Sequence, residues 1–321
     1  METVVIVESV YEKGKAVFDG MADLHIVVAP EEEAGLARVV SQHRAVGVVL
    51  GIMRYTHALY ECLPKGGIIA RFGVGYDGVD LRKAQEKGVL VTNTPGVLAQ
   101  TVAESTVLLA GECLRKFGSY AAKLRAGKWA PAAGREFYGK TWAIVGLGDI
   151  GRQVAKILSF GFGVDVVSLK RESIDTTEAG ELYGIKGWYD DFEKLVEHAD
   201  IVSIHLPANT ETYHYMDHRK LASMRSQTLL INTSRGALVD EVALYDAISE
   251  GRLWGAGLDV FENEPYQPVG DKDLRKLEQV VMTPHIGSNT DECNWRMAKR
   301  VLHNICAAVQ GDIDALDLVN S

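Results

Sequence analysis

The sequence predicts an α/β protein with two domains, each built on a doubly wound parallel sheet. Three observations carry that prediction. The chain has 321 residues, more than one ordinary hydrophobic core accommodates. Short apolar, β-rich runs alternate with amphipathic stretches over residues 1–100 and again from 141 to about 285. Such alternation builds a parallel sheet covered by helices on both faces. In the second region a G-x-G-x-x-G run falls between a strand and a helix, the context that gives the pattern meaning.

In the first region the strand candidates are Val4 to Val7, Leu24 to Val28, Val46 to Leu50, Ile68 to Arg71 and Val89 to Thr92. Helical stretches fall between them, among them Pro30 to Ser41 and Asp80 to Lys87, the latter stopped by Gly88 as a C-cap. Residues 101–118, TVAESTVLLAGECLRKFG, read as one long helix. Its apolar residues exceed a single stripe, so burial on most sides is expected, at a domain or subunit boundary. Trp142 to Val145 opens the second region as a strand apolar on both faces. Ile150, Val154, Ile157 and Leu158 then recur at helical steps, and Val164 to Leu169 is the next strand. Ile201 to His205, Leu229 to Asn232, Gly255 to Leu258 and Val280 to Thr283 follow as strands, and Thr290 to Val309 as a closing helix.

Gly146, Gly148 and Gly151 form the glycine run. The first permits a tight turn, the second a close approach of backbone amides to a pyrophosphate, and the third close helix–strand packing. Asp149 and Ile150 open the following helix, whose N-terminus supplies partial positive charge. The end of the next strand selects the dinucleotide. An acid ~20 residues past the glycines would hold the ribose 2′-hydroxyl of NAD. Lys170 stands there, followed by Arg171. Lysine cannot accept a hydrogen bond, and two cations suit a 2′-phosphate. The expected cofactor is therefore NADP in preference to NAD.

Composition narrows the class. Hydrophobic residues at 47% and charged residues at 24% match a soluble globular protein. A net charge of −9 argues against a general nucleic-acid binder. The four cysteines, Cys62, Cys113, Cys293 and Cys306, have no metal-ligand spacing and read as free thiols in a reducing compartment. No metal site is expected. METVVIVESV lacks the marks of a signal peptide, and no apolar stretch reaches the ~18 residues of a membrane span. A cytoplasmic protein without a membrane partner is expected.

Seven segments together resemble one family. RFGVGYDGVD (71–80), TVAESTVLLA (101–110), GLGDIGRQVAKIL (146–158), LPANTETYHYM (206–216), INTSRGALVDEVAL (231–244), GAGLDVFENEP (255–265) and TPHIGSNT (283–290) are similar, in order and spacing, to the D-isomer-specific 2-hydroxyacid dehydrogenases. That family includes glyoxylate/hydroxypyruvate reductases and phosphoglycerate dehydrogenases. The resemblance implies a Rossmann NAD(P)-binding domain, residues 101–290, inserted into a flavodoxin-like substrate domain formed by 1–100 and 291–321. It implies an active site in the cleft between them and a homodimer paired through the cofactor domains. The chain ends soon after its closing helix, so the C-terminal regulatory module of some phosphoglycerate dehydrogenases is not expected.

Reducing a 2-oxo acid needs a cation for carboxylate and ketone, a proton donor for the developing alkoxide, and a group to tune that donor. Arg235 in N-T-S-R-G lies just past a strand, where open α/β sheets place ligand groups. Its planar guanidinium can hold two oxygens at once. His285, after Pro284, is the acid/base candidate, since imidazole exchanges protons near neutrality. His205 is the rival and reads better as a satisfied structural histidine. By the family register Glu264 is the carboxylate partner, a group that favours charged imidazolium; Glu262 competes two residues earlier. Also from the resemblance, the amides of Val74 and Gly75 point at the substrate carboxylate and Asp259 meets the nicotinamide carboxamide. Thr106, Pro207, Thr212, Thr233, Gly287 and Ser288 occupy further cofactor-contact positions. Arg54, in the loop Ile52-Met53-Arg54-Tyr55, either binds a second anionic group or points to solvent.

The expected activity is hydride transfer between NAD(P)H and a small 2-oxo acid or D-2-hydroxy acid such as glyoxylate or hydroxypyruvate. Corepressors of similar fold keep a nucleotide-sensing binding role open as the alternative. The related formate dehydrogenases pair their histidine with glutamine, so Glu264 speaks against that chemistry.

Overall fold

A computed structural model gives the structure of the protein and describes residues 1–170 and 175–320. The chain divides into two compact units, 1–98 with 289–321, and 99–288.

The first unit runs β1 (Glu2–Val7), α1 (Glu8–Phe18), β2 (Leu24–Ala29), α2 (Glu33–His43), β3 (Gly47–Leu50), α3 (Ala58–Cys62), β4 (Ile68–Arg71), α4 (Leu81–Lys87) and β5 (Leu90–Thr92). All pairings are parallel, in the order β2-β1-β3-β4-β5. That is the flavodoxin-like order, with its topological switch between β1 and β3. β1, β3 and β4 are apolar on both faces because helices cover both sides. Tyr55 and Tyr60 are fully buried beyond β3. Tyr60 donates its hydroxyl to the carbonyl of Tyr55 and accepts the amide of Asp80, and burial pushes its phenol up to about 12.

The second unit runs α5 (Ala99–Arg115), α6 (Phe117–Arg125), β6 (Thr141–Val145), α7 (Asp149–Ile157), β7 (Asp165–Leu169), α8 (Thr176–Tyr183), β8 (Ile185–Tyr189) and α9 (Phe192–Val196). It continues with β9 (Ile201–Ile204), α10 (His218–Ser223), β10 (Leu229–Asn232), α11 (Glu241–Ser249), β11 (Gly255–Leu258) and β12 (Val280–Met282). The helix α12 (Asp291–Gln310) returns to the first unit. The second sheet is also all parallel, in the order β12-β11-β10-β9-β6-β7-β8. This is Rossmann topology with one added strand, and its switch point lies between β6 and β9. The fold class is therefore two parallel-sheet α/β domains, as the sequence predicts.

Three details differ from the sequence reading. The helix expected over 101–118 stops at Arg115, because Lys116 takes a left-handed conformation (φ 53°) and a new helix starts at Phe117. β8 is an edge strand that the pattern hides: Gly187 interrupts it, only Ile185 is buried, and its pairing with β7 carries a register shift. α1 follows β1 without a turn or a side-chain cap, so no punctuation announces it.

Candidate active site

The glycine loop joins β6 to α7 at the switch point of the second sheet. Gly146 has φ 102°, and a Cβ there would lie 2.6 Å from the carbonyl oxygen of His205 at the end of β9. Only glycine meets both demands. A Cβ on Gly151 would lie 2.2 Å from the carbonyl oxygen of Gly146, so helix and turn touch backbone to backbone. Above Gly148, by contrast, there is open space. Asp149 and Ile150 begin α7, which lacks the side-chain cap that Asp80, Asp217, Asp240 and Thr290 give α4, α10, α11 and α12. An uncapped helix N-terminus facing open space over a glycine fits a pyrophosphate.

Lys170 follows β7 in an exposed position and donates its backbone amide to the carbonyl of Tyr189. Asp165, the acid within the strand, is bound to Lys186 at the opposite end. The second expected cation, Arg171, lies outside the described residues.

The loops after β9, β10, β11 and β12 leave the same edge of this sheet and are tied to one another. After β10, the Asn232 side chain accepts the amide of Ser234 and donates to the carbonyl of Arg235, while the Ser234 hydroxyl donates to the carbonyl of Leu206. The Arg235 guanidinium donates to the carbonyl of Ser234. The next residue, Gly236, abuts the loop after β11: a Cβ there would lie 1.8 Å from the carbonyl carbon of Phe261 and 2.3 Å from the nitrogen of Glu262.

At the end of β12, His285 Nδ1 lies 2.6 Å from Glu264 Oε2, and both side chains are about three-quarters buried. Glu264 Oε1 accepts the amide of Phe261 at 3.0 Å, so the carboxylate grips its own loop and the imidazole together. His285 adopts φ 52°, a conformation uncommon for residues other than glycine. Its amide donates to the carbonyls of Asp259 and Thr283, at 2.9 and 3.0 Å. The buried Asp259 carboxylate accepts the Thr283 hydroxyl and the amides of Ile286 and Gly287, at 2.6, 2.9 and 2.7 Å. These bonds hold the strained histidine in place, which is how functional sites sustain such backbones. Ser288 follows at the end of the unit.

The rival groups sit elsewhere. His205 has Nε2 2.9 Å from the Ser203 hydroxyl, and burial pushes its pKa down to about 3, so it stays neutral. Glu262 accepts the Tyr213 hydroxyl at 2.6 Å and lies 3.1 Å from His214 Nε2. Thr106 and Thr233 are buried with their hydroxyls 2.7 Å apart, joining α5 to the loop after β10. The Thr212 hydroxyl closes a turn onto the carbonyl of Pro207 at 2.7 Å.

In the first unit, Val74 and Gly75 follow β4. Their carbonyls accept from the Asn93 amide group (2.7 Å) and the buried Arg71 guanidinium (2.9 Å). No acceptor among the described residues takes their amides. Arg71 also donates to the carbonyl of Leu50, linking this turn to the loop after β3. In that loop Arg54 is exposed. Burial pushes the Glu33 carboxyl up, but the amides of Thr56, His57 and Leu59 just beyond Arg54 all donate to it and together hold it below the usual range.

Several residues packed against the loop that carries Glu264 were not singled out from sequence: Gly236, Glu241, Tyr213 and His214. Glu241 begins α11 and is buried; its Oε1 accepts the amide of Glu262 at 2.7 Å. Burial, and then the charges of Glu262 and Glu264, raise its pKa. A glutamate in the first turn of a helix looks like a solvated dipole partner. Nothing in its spacing announces burial.

Comparison with known proteins adds a consistent finding. The family model described as D-isomer specific 2-hydroxyacid dehydrogenase, NAD binding domain, matches residues 107–287. The chain is 41% identical over 271 residues to a glyoxylate reductase from Korarchaeum cryptofilum, covering 82% of this chain and 78% of that protein. A similar solved structure is the NADPH-dependent glyoxylate/hydroxypyruvate reductase of Sinorhizobium meliloti with NADP and malonate. It has a TM-score of 0.81 at 28% identity, over 95% of this chain and 93% of that one. Another is the D-lactate dehydrogenase of Aquifex aeolicus with NAD and lactic acid, at a TM-score of 0.83 and 26% identity over 99% of both chains.

Proposed function

This chain belongs to the D-isomer specific 2-hydroxyacid dehydrogenases, NAD(P)-dependent oxidoreductases acting on a CH–OH group, and we propose that within that family it reduces a small 2-oxo acid of the glyoxylate or hydroxypyruvate class, with NADPH preferred. The observation that carries the proposal is the His285–Glu264 pair, at 2.6 Å on loops that leave the C-terminal edge of the Rossmann sheet. Glyoxylate and hydroxypyruvate are the substrates named for similar proteins.

When bound, the nicotinamide supplies the hydride. Arg235 binds the substrate carboxylate and draws charge from the ketone through its two-pronged guanidinium. With Nδ1 turned to Glu264, His285 has Nε2 left to give its proton to the alkoxide as it forms. Glu264 stabilises the charged imidazolium that must exist before that transfer and fixes its orientation. Gly146, Gly148 and Gly151, with Asp149 and Ile150, cradle the pyrophosphate. Lys170 and Arg171 would hold the 2′-phosphate. Pro207, Thr212, Thr233, Thr106, Gly287 and Ser288 complete the cofactor site. Asp259 receives the carboxamide while its carboxylate holds the His285 loop. Val74, Gly75 and Arg54 of the first unit are candidate substrate-binding residues.

A homodimer paired through the second unit accounts for its exposed apolar residues. Leu108 (72% exposed), Trp129 (85%) and Tyr138 (78%) are joined there by Phe117 and Leu124. Large exposed apolar groups clustered in one segment mark an interaction surface. A cytoplasmic location fits the free thiols, and no helix among the described residues is long and apolar enough to cross a membrane. Steady-state oxidation of NADPH and NADH against a panel of 2-oxo acids tests the reading. Turnover of glyoxylate or hydroxypyruvate is expected. No turnover of any 2-oxo acid with either cofactor would end it.

A further inference from the structure

We propose that Glu241 is a positioning residue for the His285–Glu264 pair, acting through the backbone amide of Glu262; the inference rests on the reading of that pair as the proton-transfer site. The two successive amides at the start of the 261–265 loop each go to a carboxylate. Phe261 donates to Glu264 Oε1 at 3.0 Å and Glu262 to Glu241 Oε1 at 2.7 Å. The first bond is internal to the loop and cannot fix it in space. The second reaches a different element, the first turn of α11, whose N-cap Asp240 accepts the amides of Val242 and Ala243 and so anchors that turn.

The buried Phe261 ring, packed against Tyr266, holds the start of the loop by apolar contact, and the Glu262 peptide that follows it is held by polar bonds. Gly236 gives it a wall, being in backbone contact with the 261–262 peptide, but a wall stops motion in one direction only. The Glu262 side chain is held from the 207–216 loop by the Tyr213 hydroxyl and His214, whose rings stack with centroids 4.0 Å apart. Of the side chains Glu241, Tyr213 and His214, only that of Glu241 is buried. Burying a carboxyl beside Glu262 and Glu264 is costly, and the cost raises its pKa. An apolar side chain would fill the space without that cost, but it would leave the Glu262 amide unpaired. The carboxyl oxygen is there as an acceptor, which a Gln side chain also offers.

The chain of contacts is Glu241 to the Glu262 amide, along the loop to Glu264, and on to His285 Nδ1. Loss of the first link lets Glu264 drift, and about 1 Å of drift at such a site costs about 10²-fold in rate. Binding of the dinucleotide at the glycine loop does not depend on this chain.

The test uses the full-length protein with E241A and E241Q. The direct readout is the proton resonance of the His285 Nδ1–H bond, observed in the enzyme without substrate and assigned by its loss in H285A. A far-downfield resonance is expected in the wild type from the 2.6 Å separation; it should persist in E241Q and be lost or shifted upfield in E241A. In steady state, E241A should lose about 10²-fold in kcat with little change in KM for NADPH, and E241Q should stay within a few-fold of wild type. On the background of E264A the E241A change should cost little more, since the link it supports is already gone. If E241A does not fold, E241Q alone decides: a loss of its downfield resonance overturns the proposal. An unshifted resonance in E241A, or a full additional 10²-fold loss in E241A/E264A, overturns it as well. The resonance is read without turnover, so an inactive enzyme with the expected pattern would sink the proposed reaction and spare this inference.

Discussion

Replacing Gly236 by alanine adds one methyl group at the most crowded backbone contact of the candidate site. The new Cβ would lie 1.8 Å from the Phe261 carbonyl carbon, 2.1 Å from its oxygen and 2.3 Å from the Glu262 nitrogen. Carbon atoms rest at ~3.5 Å or more, so the 235–236 turn and the 261–262 peptide must part by well over 1 Å. All three neighbours are backbone, so no rotamer change relieves the overlap. The turn on one side carries Arg235, and the peptide on the other leads to Glu264, 2.6 Å from His285. Displacement of about 1 Å at reacting groups costs about 10²-fold, and overpacking costs about 1–3 kcal/mol of stability. G236A should therefore remain folded, with a lowered urea midpoint, bind NADPH with nearly the wild-type affinity, and lose at least 10²-fold in kcat. The assay pairs stopped-time turnover of glyoxylate with fluorescence titration of the cofactor and urea unfolding. A folded G236A with turnover within threefold of wild type would refute the reasoning.

Four further outcomes are expected. H285A should lose about 10²–10⁴-fold in kcat, the usual share of general acid–base catalysis, with cofactor affinity retained; near-normal turnover would reassign the proton donor. R235K keeps the charge but loses the fork, so both kcat and KM should worsen, and a rise in KM alone would make Arg235 a ground-state anchor only. Wild type should favour NADPH over NADH by one to two orders of magnitude at low salt, as charge-assisted bonds of ~1.5–3 kcal/mol screened by exposure imply. K170D should reverse that order, and equal use of both cofactors by the wild type would remove Lys170 from the site. His205, pushed down to about 3 by burial, binds a proton more readily in the unfolded chain, whose histidines titrate near 6.5. Stability from this group is thus full above pH 6.5 and lost as pH falls toward 3, at about 1.4 kcal/mol per pH unit. Urea unfolding from pH 7 to pH 5 should show that extra slope in wild type and not in H205Q.

The sheets were legible because their strands are buried on both faces and read as uninterrupted apolar runs, as in Val4–Val7 and Trp142–Val145. β8 was not, since an edge strand with one buried residue carries no such run. The glycine loop was legible for a related reason: Gly146 and Gly151 each answer a local demand, a positive φ at the first and a backbone approach at the second, that another residue could not meet. His285 and Glu264 were found through the family register, and neighbouring residues in the chain do not reveal that they meet. Their separation of 21 residues is closed only when β11 and β12 lie side by side.

What sequence did not disclose is the support around that pair, and the reason is physical. Glu241 and Gly236 look ordinary in their own segments, a helix-start acid and a turn glycine. Their consequence lies on a loop more than 20 residues away, at the Phe261–Glu262 peptide. One supplies an acceptor and the other removes a side chain, so the same peptide is pulled from one element and given room by another. A reading that scores each residue against its own neighbours cannot see either effect. The reacting groups of such a site are therefore easier to find in a sequence than the residues that aim them. Substitutions at Glu241 and Gly236 accordingly test the geometry more sharply than those at His285.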